Sequence, residues 1–147
     1  MMVKLITKKA LSLKAAKMLV GFASSKAKEL KVGAAIALVD DGGHLICLER
    51  LDGTIAAAAN IAIVKAATAM VFKRPGSVLE ETVTIDRPAM KTLNCLTTTP
   101  FLPLKGSYPI EIDGNMVGAI AVAGAGTGQN DELIALFAIE KFMNLLI

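Results

Sequence analysis

The sequence predicts an α+β domain built on a five-stranded, mainly antiparallel sheet with helices on both faces. Three observations lead there. Apolar segments run in the order helix, two strands, two or three helices, three strands, helix. Tight turn chemistry at Asp40–Gly43 and at Asp113-Gly114 joins two pairs of strands, and strands joined so closely must pair antiparallel. The helical segments carry apolar faces that a sheet can cover. At 147 residues the chain fits a single domain, residues 1–147, able to bury roughly 70% of its unfolded surface.

Each element has its own grounds. Thr7 is the expected N-cap of a first helix, where Leu11, Ala15, Met18, Leu19 and Phe22 recur at helical spacing and Gly33 supplies a stop. Lys14, Lys17, Ser24 and Lys28 fall on its opposite, solvated face. Ala34–Val39 is a continuous apolar run, the pattern of a buried strand, and His44–Arg50 reads as its return. Period two places His44, Ile46, Leu48 and Arg50 on one face and Leu45, Cys47 and Glu49 on the other, so both faces should be covered. Thr54 then caps a helix to about Phe72 whose one charge is Lys65, a pattern that predicts burial nearly all round.

Arg74-Pro75-Gly76 ends that helix. Ser77-x-x-Glu80 has the form of a capping box, and Asp86 is a cap for another short helix through Leu93. Thr97–Leu104, interrupted by Pro100 and Pro103, predicts an edge or irregular strand. Ser107–Ile112 and Met116–Ala123 flank the Asp113-Gly114 turn, Gly124–Gly128 forms a loop, and Asn130–Leu146 closes the chain as a helix.

Composition narrows the classes. Hydrophobic residues make up 54% and aromatics only 4%, an excess that implies tightly packed helices or apolar surface hidden between subunits. The longest uncharged run, Gly114–Asn130, is glycine-broken and short of the roughly 20 apolar residues of a membrane span. Net charge is +3, and the seven lysines from Lys4 to Lys28 precede any acid. No arginine stands among them to grip phosphates or bases, so they read as a solvated helix face, with no nucleic-acid partner. Cys47 and Cys95 lie on apolar segments and read as buried thiols without a disulfide, which fits a cytoplasmic protein.

The candidate chemistry is sparse. His44 is the single histidine, and neither HExxH nor CxxC is present, so no zinc site is expected. There is no GxSxG elbow to present a serine. His44, placed after a glycine turn, is either a plain turn residue, an axial ligand to a metal-bearing macrocycle, or a general base. Glu49, Arg50 and Asp52 close the same strand. A lone buried lysine costs several kcal/mol unless paired. Lys65 is therefore expected to meet Glu49, Asp52 or a ligand anion, with Arg50 suited to bidentate capture of a carboxylate. The loop Gly124-Ala-Gly126-Thr-Gly128-Gln129 follows a strand and opens a helix. Its spacing is GxGxG and not GxGxxG, and no P-loop lysine follows, so no NAD site is expected. It is either a backbone nest for a small anion or a tight strand-to-helix turn.

Taken together, Val39-Asp-x-Gly-Gly-His44-Leu, Glu49-Arg-x-Asp-Gly53 and Ile61-Ala-x-x-Lys65-Ala-x-Thr68-Ala resemble the GlcG/HbpS-like family. Arg74-Pro75, Pro103-Leu104 with Gly106, Pro109-Ile110, Gly118-Ala119-Ile120 and Asp131-Glu132 continue the match in order. The family includes the C-terminal domain of PduO-type corrinoid adenosyltransferases. The resemblance implies a profilin-like fold, homo-oligomers, and in several members haem binding with links to corrinoid chemistry. It also implies an association with glycolate, propanediol or glycerol utilisation. In haem-binding relatives a ligating histidine is expected on or near the first helix. Residues 7–31 contain none, so a haem ligand here would come from His44, a methionine such as Met18, or a cysteine.

Two readings follow. By resemblance, the chain is a non-enzymatic accessory protein that binds haem or a corrinoid. By residue chemistry, it binds a carboxylate-bearing metabolite, as enzyme or sensor, between Arg50/Lys65 and Gly124–Gln129. A structural subunit of a diol- or glycerol-processing assembly is the third option.

Overall fold

The computed structural model describes residues 1–146. Its helices are α1 (Leu13–Glu29), α2 (Ala58–Phe72), α3 (Gly76–Glu81) and α4 (Gly128–Met143). Its strands are β1 (Ala35–Asp40), β2 (Leu45–Arg50), β3 (Ser107–Ile112) and β4 (Asn115–Ala123). A π turn, Thr82–Asp86, and a 3-10 helix, Pro88–Cys95, follow α3. The sheet has four strands in the order β2-β1-β4-β3, with every neighbouring pair antiparallel.

The expected fifth strand does not form. Pro100 and Pro103 have no N–H to give to a ladder. The donors between them go to side chains instead: Phe101 N–H to Asn94 Oδ1 at 2.6 Å and Leu102 N–H to Thr68 Oγ1 at 2.9 Å. That stretch is a strap across α2, outside the sheet.

The two faces of the sheet are packed differently. Against α2, Ala35, Ala37, Ala119, Ala121 and Ala123 meet Ala58, Ala62, Ala66 and Ala69. Small side chains on both sides let the helix lie close to the strands. On the other face Ile36, Leu38, Ile120 and Val122 pack under α1 and α4 through Leu19, Ile134 and Phe142. The alanine content of the sequence is thus one half of its core.

Several local expectations are corrected by hydrogen bonds the sequence does not display. Leu11 N–H donates to Val117 O at 2.9 Å, so the chain is still extended there. Helix α1 starts later, capped by Ser12 accepting from Ala15 N–H, and Thr7 lies in an extended arm. It stops before Gly33, because Lys31 takes the left-handed turn, with φ 56°. Its buried stripe is Ala16, Leu19, Val20, Ala23, Ser24 and Ala27, so Ser24 is inside and Met18 is 36% exposed.

On β2 a bulge pairs Leu38 with Cys47 but Val39 with Leu45, leaving Ile46 unpaired. Ile46 and Cys47 then both pack toward α1 and α4, which breaks strict alternation. β2 is also an edge strand and half exposed, not covered on both sides. The thiols are free, with Cys47 half-buried and Cys95 exposed.

The Ser77–Glu80 capping box is not made. Helix α3 begins at Gly76 without a side-chain cap, and Glu80 accepts from Lys105 N–H at 2.8 Å instead. Arg87, not Asp86, precedes the 3-10 helix. Thr54 does not cap α2; its hydroxyl ties to Ala34, accepting from N–H at 3.0 Å. Helix α4 starts at Gly128, capped by Thr127 accepting from Asn130 N–H. The Asp113-Gly114 hairpin forms as expected, both residues at positive φ (50° and 74°), the geometry of a type I′ turn.

Candidate functional site

The candidate site is assembled around Lys65, which is 2% exposed in the middle of α2. Its ammonium donates to Val122 O at 2.6 Å and to Asp131 Oδ2 at 3.2 Å. Asp131 stands in the first turn of α4, where an acid also favours the helix dipole. Its other oxygen accepts from Ala125 N–H at 3.0 Å. One ion pair therefore joins α2, the end of β4 and the start of α4. Burial lowers the Lys65 pKa, against the opposing pull of Asp131 and, more weakly, Glu80. Burial raises that of Asp131, while Lys65 and the Ala125 N–H pull it back.

This pairing revises the expectation that Lys65 meets Glu49 or Asp52. Those two residues line a separate surface cleft with Arg50 and Lys28, and are exposed. Lys65 instead lines a cleft of about 390 Å³ with Glu80, Lys105, Gly124, Gln129 and Asp131. The structure thus brings Lys65, Gly124 and Gln129 to one place and sets Glu49, Arg50 and Asp52 in another. Gly126 is exposed on the loop at φ 88°.

The glycine loop has an internal use. Its Ala125 N–H is aimed at Asp131, and Ala125 O accepts from Asn130 Nδ2 at 3.0 Å. A side chain at Gly124 would lie 2.8 Å from Thr54 Cγ2 and 2.9 Å from Ala58 Cβ. The turn is held by its own helix, with the Asp131 carboxylate in the position a bound anion would take.

Sequence reasoning about the site missed Asp131 as the partner of Lys65. The available signal was an acid four residues after the Thr127 cap, in a first helical turn. It also missed Tyr108, whose hydroxyl bonds to Glu132 at the edge of the same region. Burial and that hydrogen bond raise the Tyr108 pKa well above the ordinary phenol range.

His44 is exposed at the β1–β2 hairpin. The Asp40 carboxylate accepts from the backbone N–H of both Gly42 and His44 at 2.9 Å, which fixes the turn, and the imidazole lies over Gly42. Met18 is exposed on α1, where Gly21, one turn on, has nothing within 4 Å of a built side-chain carbon. Imidazole and thioether are both established ligands of haem iron. Lys14 and Lys17, exposed beside Met18, would suit acidic substituents of a macrocycle. His44 and Met18 are each open to solvent, and neither lines the cleft at Lys65 or the one at Arg50. Among the described residues, no helix is long and apolar enough to cross a membrane.

An antiparallel sheet between helices, with a small charged cleft at the start of α4, defines the α+β class of this domain. The chain belongs to the HbpS-like family: the model for "Haem degrading protein HbpS-like" matches residues 11–140. It is 36% identical over 117 residues to protein GlcG of Escherichia coli strain K12, covering 80% of this chain and 84% of that one. Among solved structures it is similar to Klebsiella pneumoniae protein ORFY, with TM-score 0.86, 26% identity and 97% of each chain covered. A PduOC:heme complex matches with TM-score 0.80 and 26% identity over 89% of this chain and 94% of that one.

Proposed function

We propose that this protein is a tetrapyrrole-binding accessory protein, haem being its ligand and His44 or Met18 the iron ligand. The carrying observation is the family match over residues 11–140, together with a similar fold solved as a haem complex. The absence of a histidine on α1 moves ligation to the exposed donors elsewhere, His44 and Met18 first and the Cys95 thiol after them. In this reading the protein is a cytoplasmic homo-oligomer without turnover of its own, able to take a corrinoid in place of haem. Its setting is glycolate, propanediol or glycerol utilisation.

Titrating hemin into the purified protein should give a saturable, stoichiometric Soret shift. His44→Ala or Met18→Ala should abolish it, and the variant that does so names the ligand. A shift that never saturates, or that survives both substitutions, sinks the proposal. Cobalamin in place of hemin tests the corrinoid arm by the same readout.

The cleft at Lys65 favours a second reading. Lys65 there is already paired with Asp131, so recognition would rest on Lys105 and the N-terminus of α4, which suit a small carboxylate. Millimolar glycolate or lactate should then raise the melting temperature of the wild type by a few degrees. Lys105→Ala should remove that rise, whereas Arg50→Ala should leave it, since Arg50 lies in the other cleft. Loss of the effect in Arg50→Ala alone would return the site to the β2 end.

A further inference from the structure

We infer that the protein binds a short, neutral aliphatic molecule in a cavity between the C-terminal end of α2 and the segment that follows α3. Four stretches of different geometry each turn one face to this space. Thr68 and Phe72 stand four apart on α2, and Leu79 and Val83 stand four apart across α3 and the π turn, one helical turn in each case. Met90 and Leu93 stand three apart on the 3-10 helix, the spacing at which its side chains eclipse. Phe101 and Pro103 stand two apart on the extended strap. Each element thus contributes a pair at its own period, and the pairs surround a cavity of about 80 Å³.

The lining asks for a ligand without charge. Thr68 Oγ1 already donates to Val64 O at 2.7 Å and accepts from Leu102 N–H at 2.9 Å. The Asn94 amide is spent on Phe101, accepting from its N–H at 2.6 Å and donating to its carbonyl at 3.0 Å. Among the described residues no buried side-chain polar atom is left unpaired, and the one charged lining residue, Lys91, is exposed. A cavity with no free polar partner holds water poorly and accepts apolar guests. Water takes roughly 30 Å³ per molecule in the liquid and a methylene is of similar size, so about three or four carbon atoms fit.

The cover is built to yield. The 3-10 helix buries none of its residues, and Val83 is the one buried residue of the π turn. A cover with so few buried contacts opens at low free-energy cost. Asn94 latches it to the strap, and the Phe101 ring stands edge-on to Phe72 with centroids 5.0 Å apart, which holds the opposite wall in place. The cavity shares no lining residue with the cleft at Lys65 and is far too small for a tetrapyrrole, so this inference is independent of the proposed function.

Methyl NMR of the full chain tests it, with 1-butanol as one probe and xenon under pressure as a probe without any polar group. Both should shift the methyl signals of Leu79, Val83, Met90 and Leu93 saturably, butanol in the millimolar range open to a ligand of about five non-hydrogen atoms. The methyls of Leu133 and Leu136, exposed on α4, should show no saturable shift. Val83→Phe, which fills the space, should weaken butanol binding at least tenfold. Leu79→Ala, which enlarges it, should move the preference at least threefold toward benzene over butanol, and it decides alone if Val83→Phe does not fold. Butyrate should bind at least tenfold more weakly than butanol at pH 7. Absent or unsaturable shifts at the four lining methyls overturn the inference. So does binding whose affinity and preference neither substitution alters, because the guest then lies elsewhere. Butyrate binding as tight as that of butanol overturns the neutral class of ligand.

Discussion

Asp131→Asn is expected to remove about 3–5 kcal/mol of folding stability at neutral pH, the usual cost of leaving one member of a buried ion pair alone. In a domain of this size that corresponds to a fall in Tm of roughly 10 °C or more. The asparagine keeps the shape and can still accept from Ala125 N–H, but it then turns its NH2 toward Lys65, so the loss combines the missing charge with a missing acceptor. The penalty should also depend on pH. Burial already lowers the Lys65 pKa, and without Asp131 little opposes it. Between that lowered folded value and the ordinary 10.5 of the unfolded chain, the unfolded state binds more protons, so stability rises with pH. The variant's deficit should therefore shrink from pH 7 toward pH 10, as neutral Lys65 becomes tolerable inside. Adding Lys65→Met to Asp131→Asn should recover much of the loss at pH 7. Urea melts at several pH values check both points; a deficit that stays constant with pH, or that the double variant does not relieve, would show that the pair is not what holds these elements together.

Gly106→Ala is expected to cost about 2–5 kcal/mol, through backbone strain and overpacking together. Gly106 sits at φ 101°, in the region that side-chain-bearing residues avoid. A methyl group there would lie 2.5 Å from Asp131 Cβ and 2.8 Å from Lys65 Nζ, against the ion pair itself. Its neighbours cannot simply retreat, because Val122 N–H donates to Gly106 O at 2.9 Å and holds it to β4. Equilibrium unfolding measures the loss. Gly126→Ala, also at positive φ but with nothing within 4 Å, should cost only the strain and serves as the comparison. Equal losses at the two positions would mean that the contact with Lys65 and Asp131 adds nothing.

Much of the fold was readable because its signals are local. The Asp113-Gly114 turn, the apolar run of β1 and the length of α2 with its single charge are each local patterns, and each corresponds to an observed element. The misplaced boundaries have a common cause. Thr7, Thr54, Ser77 and Glu80 all look like caps in isolation, yet three of the four take up a long-range role or lie outside the helix. Thr54 bonds Ala34 and Glu80 bonds Lys105, contacts separated by 20 and 25 positions in the chain. A capping pattern records what a side chain can reach nearby, and distant backbone donors compete for it.

The site shows the same division. From the sequence alone it followed that a lysine on a buried helix needs an anion, because desolvating an ammonium is costly whatever the fold. Which anion it meets was a matter of tertiary structure. Glu49 and Asp52 are nearer in sequence but end an edge strand in water, while Asp131, 66 residues away, is brought to 3.2 Å by the turn from β4 into α4. The sequence by itself determined the antiparallel α+β class, the two hairpins and the need to neutralise Lys65, since each rests on short-range stereochemistry or on the energy of one group. Only the folded arrangement settles that the proline-broken segment stays out of the sheet, that Arg50 and Lys65 do not share a cleft, and that α2 reaches solvent at Asn60 and Val71. Those outcomes depend on which distant backbone and side-chain groups reach each other first, and no local pattern carries that.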